Sequence, residues 1–194
     1  MNIPILKGEG NQSCGITCLR MVLAYYGKEV SQKELEKFNQ IREGINHLYD
    51  LGYTALKNKF SSLIIGYDFM LFNNPNEENP KEFLKNTEFI GQSKDIKESC
   101  LKYLKEGGKL KVKIPSLKDI NKYLDKEVPI ILGIRAKIIE GRNPAHILHY
   151  VILEGYNEET YSIVDPVGKK YKIEKNKLVY AWFSRLGQFL VVES

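Results

Sequence analysis

Cys14 and its neighbours have the residue types and order that suit a cysteine nucleophile. Cys14 directly precedes a helical pattern, within Asn-Gln-Ser-Cys-Gly-Ile-Thr-Cys-Leu at 11–19. Its sulfur would therefore lie at the positive end of a helix dipole, which favours the thiolate over the thiol. Gly15 leaves room for a substrate carbonyl and for backbone amides that face a developing oxyanion. Taken alone, Cys14 could equally be a small buried apolar residue.

A cysteine nucleophile needs a base, and the sequence contains three histidines, His47, His146 and His149. His149 opens an alternating strand and follows Cys14 by about 135 residues, within the separation of about 130 to 150 typical of papain-type enzymes. Asp165 ends the next predicted strand, where its carboxylate could orient the imidazole. Asp-Pro is also a common turn opening, so Asp165 alone is not diagnostic. His47 lies in a helical stretch, and we expect it to be structural or exposed.

The periodicity of the chain predicts the elements that must hold these side chains. Apolar residues at helical spacing predict a helix from Cys14 that ends at Gly27, and Ser31 with Glu34 forms a capping box for the next. Further helices are predicted at about 32–41, 46–60, 82–87, 94–106, 116–125 and 175–182. Strands are predicted at about 63–72, 110–114, 128–134, 149–156, 161–164, 170–173 and 188–192. Helices followed by antiparallel sheet indicate an α+β fold, in one domain over 1–194.

Composition narrows the class of protein. The chain has 43% hydrophobic and 27% charged residues, and its net charge of +5 comes from lysines scattered among glutamates, which does not favour nucleic-acid binding. There is no signal-peptide pattern and no apolar run near the roughly 20 residues that span a bilayer. We therefore expect a soluble cytoplasmic protein. Three cysteines without an export signal do not indicate a disulfide framework.

Four segments make the chain resemble the C39-like cysteine peptidases, the family that includes the bacteriocin-processing domains which remove double-glycine leader peptides. They are 13–27, with Ser-Cys-Gly-Ile-Thr-Cys-Leu at its start; 149–156, His-Tyr-Val-Ile-Leu-Glu-Gly-Tyr; 161–166, Tyr-Ser-Ile-Val-Asp-Pro; and, more loosely, 115–131. The resemblance covers both ends of the chain and is weakest over 41–110. It implies a papain-like fold, with helices packed on a C-terminal antiparallel sheet, and a hydrolase that acts on a peptide or amide.

The resemblance also assigns roles to single residues. Cys14 is implied as the nucleophile, His149 as the general base and Asp165 as the orienting acid, without cofactor or metal. Cys18 matches a second motif cysteine that packs in the core, and Cys100 has no counterpart, so we expect it to be structural.

The likeness has one departure, at the position six residues before the nucleophile. The family usually has an oxyanion-hole glutamine there, whereas this chain has Gly8. Gln12 and Asn11 are the nearest amides, and Gln12 is the candidate oxyanion donor. A missing donor would lower the rate by about 100- to 1000-fold.

Three alternatives remain open on sequence. Cys14, Cys18, His146 and His149 could form a zinc site, the same triad could serve acyl transfer, or the chain could bind peptides without turnover. A transporter or other protein partner and the substrate sequence are not indicated. Substrate choice is predicted to lie in 41–110.

Overall fold

The computed structural model describes residues 1–9, 13–39, 41–42, 45–140 and 148–194. Eight helices lie in these residues: α1 Cys14–Tyr25, α2 Gln32–Glu36, α3 Leu48–Lys57, α4 Pro80–Asn86, α5 Gln92–Lys105, α6 Leu117–Leu124, α7 Ala136–Glu140 and α8 Lys175–Phe183. Nine strands lie there as well: β1 Ile41–Arg42, β2 Ile45–Asn46, β3 Ser61–Gly66, β4 Lys109–Val112, β5 Ile130–Arg135, β6 Leu148–Tyr156, β7 Thr160–Asp165, β8 Lys169–Glu174 and β9 Phe189–Glu193.

Seven strands form one sheet in the order β4-β3-β9-β5-β6-β7-β8, and β1 and β2 form a separate two-stranded sheet. The sheet is antiparallel except between β3 and β4. The mixed α+β architecture predicted from the sequence is confirmed. The parallel pair differs from prediction because the two strands are joined through α4 and α5, a crossover long enough to return the chain to the same end of the sheet.

The two faces of the sheet bury separate apolar clusters. Alternate residues of the central strands point to opposite faces, so Tyr150 and Ile152 of β6 enter one cluster while Val151 and Leu153 enter the other. Helices α1, α3 and α5 cover the first face, and α6 and α8 cover the second. None of the helices in the described part of the chain has the length and apolar character needed to cross a bilayer.

Local sequence explains where several elements begin and end. Helix α1 stops before Gly27, which has φ +82°, and the Ser31–Glu34 capping box starts α2 as predicted. The predicted helix over 32–41 is wrong beyond Glu36, where the chain turns. The predicted strand over 63–72 is wrong after Gly66. There Asp68 Oδ1 accepts a hydrogen bond from Met70 N at 3.0 Å and bends the chain.

Candidate active site

Cys14 is the first residue of α1, as the sequence predicts, and its side chain is half-buried. The first amides of a helix have no partner within the helix, so the backbone N–H of Cys14 belongs to a positive helix terminus. Ser13 precedes it, and its carbonyl accepts both Thr17 N and Thr17 Oγ1 at 2.8 Å. These bonds tie the first turn of α1 together.

His149 and Asp165 come from neighbouring strands and meet beside Cys14. Pairing of β6 with β7 begins at Ile152 and Val164. His149 lies before the first pair and Asp165 follows it, so both residues lie at the same end of this strand pair. His149 Nε2 lies 2.9 Å from Asp165 Oδ1. Because Nε2 faces the carboxylate, Nδ1 is the nitrogen left for the thiol of Cys14, with which the imidazole is hydrogen-bonded.

The end of β6 also supplies a backbone donor to the sulfur. Tyr150 lies before the first β6–β7 pair, and its amide donates a hydrogen bond to the Cys14 sulfur. The sulfur is thus held by one imidazole and one amide of consecutive residues. Both donors favour the negative thiolate over the thiol.

The pKa values of Cys14 and His149 are shifted in the directions that favour the charged form of each side chain. Burial alone would raise the pKa of Cys14, but the hydrogen bond and charge of His149, the amide of Tyr150 and the charge of Arg185 outweigh it, so that the pKa is lowered. Burial alone would lower the pKa of His149, yet its bonds to Asp165 and Cys14 raise it to about 9. The two shifts together favour a thiolate beside an imidazolium over a neutral thiol beside a neutral imidazole.

Asp165 is fixed in its charged form by several donors. Only 3% of its side chain is exposed, and burial would raise its pKa, but the hydrogen bond from His149 leads a set of interactions that lower it. Val167 N donates to Oδ1 at 3.1 Å, and Tyr171 Oη donates to Oδ2 at 3.0 Å. The carboxylate can therefore hold the imidazole in one tautomer and one orientation.

Gly8 stands at the position where the resemblance predicts a glutamine. Its amide donates to Pro166 O at 3.1 Å, so this part of the N-terminal segment lies against the residue after Asp165. A Cβ at Gly8 would come 2.3 Å from Ser13 Oγ and 3.0 Å from Thr17 Oγ1. A side chain at this position would therefore require the Ser13 hydroxyl to move. Gln12 and Asn11 lie outside the described residues, so the donor role of Gln12 stays a prediction.

Cys18, Cys100 and His47, which lie in the described part of the chain, are not among the contacts described above for Cys14, His149 and Asp165. Cys18 and Cys100 are fully buried, as expected of core residues, and burial raises the pKa of each thiol. Half-buried His47 lines a cavity of about 20 Å³ together with Asp68 and Arg185. His146, required by the zinc alternative, lies outside the described residues. Within the parts that are described, no group of three or more His, Cys, Asp or Glu could hold a metal ion.

Two residues that contact His149 or Asp165 were not singled out from the sequence. Tyr171 reaches Asp165 because β7 and β8 form a hairpin in which Asp165 pairs with Lys169, which puts 165 and 171 on one face. That hairpin was predictable, so its alternation was the available signal. Arg185 Nη1 donates to His149 O at 3.1 Å from the segment between α8 and β9. No spacing rule in the sequence indicates such a contact.

Solved structures with this fold include three peptidase domains. The peptidase domain of Streptococcus ComA, a bifunctional ABC transporter of a quorum-sensing pathway, aligns with TM-score 0.56 and 14% identity over 99% of this chain and 98% of its own. A double glycine motif protease from an AMS/PCAT transporter, solved with its leader peptide, gives 0.56 and 16% over 99% and 91%. A protein from Bacillus anthracis assigned as a C39-like peptidase gives 0.52 and 16% over 100% and 95%.

These likenesses concern the fold. None of the curated proteins matches the chain in sequence. The model of the Peptidase_C39 like family, in contrast, matches residues 1–188, nearly the full length. The chain belongs to the Peptidase_C39 like family.

Proposed function

We propose that this protein is a cysteine hydrolase that cleaves a peptide or amide bond through Cys14, His149 and Asp165. The observation that carries the proposal is the position of the His149 imidazole between the Asp165 carboxylate, at 2.9 Å, and the Cys14 thiol at the start of α1. Membership of a peptidase family supports the same reaction class.

The resting ion pair suits the first chemical step. The Cys14 thiolate attacks the substrate carbonyl carbon, and the carbonyl electrons move to oxygen. The backbone N–H of Cys14 lies in the first turn of α1, where amides have no partner within the helix, and it can donate to that oxyanion. The His149 imidazolium then gives its proton to the leaving amine as the carbon–nitrogen bond breaks, which leaves a thioester on Cys14 and a neutral imidazole.

The second half of the cycle restores the enzyme. Neutral His149 takes a proton from water, and the resulting hydroxide attacks the thioester carbonyl. The carbon–sulfur bond breaks, the acid product leaves and the thiolate–imidazolium pair forms again. Asp165 stays ionised throughout and stabilises the imidazolium. An amine in place of water would give acyl transfer by the same route.

The first test asks whether Cys14 has the reactivity of a catalytic thiolate. At pH 7 and limiting iodoacetamide, peptide mapping by mass spectrometry should find the label on Cys14, while fully buried Cys18 and Cys100 serve as internal controls. His149→Ala should slow this labelling strongly. Wild-type labelling no faster than that of glutathione would contradict the proposed function.

The second test asks for turnover. The protein is incubated with a peptide library that includes double-glycine leaders, the substrate class of one structural relative, and products are identified by mass. Cys14→Ala and His149→Ala should each abolish cleavage while circular dichroism shows an intact fold. Added amines distinguish hydrolysis from transfer, because a transferase would yield the amide adduct. Full activity in either variant would overturn the assignment.

A further inference from the structure

Arg185 contacts the two residues of β6 that hold the Cys14 sulfur. Its Nη1 donates to His149 O at 3.1 Å, and its guanidinium carbon lies 4.0 Å from the centre of the Tyr150 ring. The first contact fixes the backbone of the residue that carries the imidazole. The second fixes the side chain of the residue whose amide donates to the sulfur.

The fold leaves space for this guanidinium at Gly133. Gly133 pairs with Tyr150 in the buried interior of β5, where glycine weakens a strand because it packs no side chain. A Cβ at this position would come 2.7 Å from Arg185 Nη1 and 3.0 Å from its Cδ. The absence of a side chain at Gly133 is therefore explained by the place that Arg185 occupies.

The segment that carries Arg185 is itself anchored to α8 and β5. The backbone amide of Arg185 donates to Trp182 O at 3.0 Å. The indole Nε1 of Trp182 donates to Gln188 O, also at 3.0 Å. Arg135 Nε, from the end of β5, donates to Ser184 O at 2.6 Å. Half-buried Arg185 is thus held at a defined point. The charged and titratable groups around it and Cys14 include His149, Asp165, Tyr150, Tyr49, Asp68, His47 and Cys18.

We infer that Arg185 is a positioning residue, which locks the backbone of His149 and Tyr150 so that imidazole and amide both meet the Cys14 sulfur. The inference rests on the proposed function. Its positive charge acts in the same sense as the contacts, since it is one of the causes that lower the pKa of Cys14. Arg185 acts through its neighbours and takes no part in bond making.

The test is the pH profile of Cys14 alkylation by iodoacetamide, a neutral reagent, from pH 5 to 10. Arg185→Gln should slow alkylation about three- to tenfold at pH 6, the size expected of a partly screened nearby charge and a loosened donor pair. Wild type and variant should converge near pH 10, where the thiol is ionised in both. A merely structural loss would lower the rate equally at every pH.

Arg135→Gln is the matched control, because it removes an arginine that anchors the same segment and bonds Ser184 instead of His149. Its loss of rate at pH 6 should be clearly smaller than that of Arg185→Gln, because the contacts to His149 and Tyr150 remain. Gly133→Ala should displace the guanidinium while keeping its charge, and should slow alkylation at pH 6 without adding to the effect of Arg185→Gln in the double variant. Arg185→Lys, which keeps charge without the planar fork, should restore part of the rate.

The outcomes separate this inference from the proposed function. A reactive wild-type Cys14 that is silenced by His149→Ala but unchanged by Arg185→Gln and Gly133→Ala would overturn the role of Arg185 alone. Equal loss in Arg135→Gln and Arg185→Gln would also overturn it, since segment integrity would then explain both. Should Arg185→Gln fail to fold, Gly133→Ala and Arg185→Lys decide the question by the same profile.

Discussion

At the scale of single residues, the surroundings of Cys14 and His149 favour the form of the pair in which His149 carries the proton. The sequence predicts His149 as the base that takes the Cys14 proton. The interactions around the pair lower the pKa of Cys14 and raise that of His149 to about 9. The ion pair therefore exists between these two pKa values, and its imidazolium is ready to protonate the leaving amine.

This gives a pH dependence with a defined upper limb. Turnover should fall as the pH rises through about 9, because His149 then loses the proton that the leaving amine needs. Alkylation of Cys14 needs the thiolate and no imidazolium, so it should stay high at pH 10. Initial rates of both reactions across pH 5 to 10 make the comparison. A parallel fall in both at alkaline pH would contradict the ion-pair assignment.

Replacing Asp165 should move that limb. Its hydrogen bond and charge raise the pKa of His149, so Asp165→Asn should shift the alkaline limb to lower pH and reduce neutral turnover by about 10- to 100-fold. Tyr171→Phe, which removes one hydrogen bond to Oδ2, is the graded control and should cost only a few-fold. If Tyr171→Phe cost as much as Asp165→Asn, the carboxylate would not be the orienting group.

The sequence indicated Cys14, His149 and Asp165 because each stands at a recognisable boundary: a helix start, a strand start and a strand end. Arg185 was not indicated because its contacts depend on how a loop packs across β5 and β6. Neither the length of that loop nor the spacing of its apolar residues predicts this packing. Gly133, in contrast, was a sequence feature that could have indicated a contact at this place. A glycine inside an apolar strand points to a close approach, although it does not name the partner.

At the scale of elements, segments with one clear period were predicted well and apolar segments without one were not. Helix α1 holds Cys14 and strand β6 holds His149. The regular spacing of apolar residues in both elements made them predictable. The strand predicted over 63–72 fails because Met70, Leu71 and Phe72 are apolar but lie in a turn set by the buried carboxylate of Asp68. A local hydrogen bond of that kind is invisible to hydrophobic pattern.

The N-terminal segment offers a test of how the oxyanion hole is built. Gly8→Gln restores the amide that the family usually has at this position, yet its Cβ would fall 2.3 Å from Ser13 Oγ. Forced packing of this kind typically costs about 1–3 kcal/mol of stability. We therefore expect a lower midpoint of urea unfolding and no gain in turnover.

Lys7→Gln is the matched control for that variant. It places the same amide on the adjacent, exposed residue and should leave stability unchanged. An increase in turnover from Gly8→Gln, with stability retained, would mean that the segment moves to admit the side chain and that position 8 can supply the missing donor.

At the scale of the whole molecule, the site depends on order in the sheet that the sequence did not specify. The chain order of the later strands was readable, but β3, from the first third, lies inside the sheet between β4 and β9. Strand neighbours far apart in sequence are chosen by packing on both faces, which no local pattern records. The role of 41–110 in substrate choice stays a prediction.

A change on the second face of the sheet, at Trp182, should alter the reactivity of Cys14 although the two residues are far apart in sequence. Trp182 is fully buried in α8, and its indole N–H bonds Gln188 O across the segment that carries Arg185. Trp182→Phe should lower the free energy of unfolding by about 1–3 kcal/mol, because it leaves the Gln188 carbonyl without its donor. The variant should also slow Cys14 alkylation at pH 6. Leu178→Ala, at an equally buried site one turn earlier in α8, is the control.

Leu178→Ala leaves a cavity and should cost more stability, about 2–5 kcal/mol, yet it leaves the hydrogen bond between Trp182 and Gln188 in place. Urea unfolding and alkylation rates of the two variants, measured where both are fully folded, therefore separate the effects. We expect the less destabilised variant, Trp182→Phe, to lose more Cys14 reactivity. Loss of reactivity in proportion to loss of stability would instead mean that the second face supports the site only by keeping the chain folded.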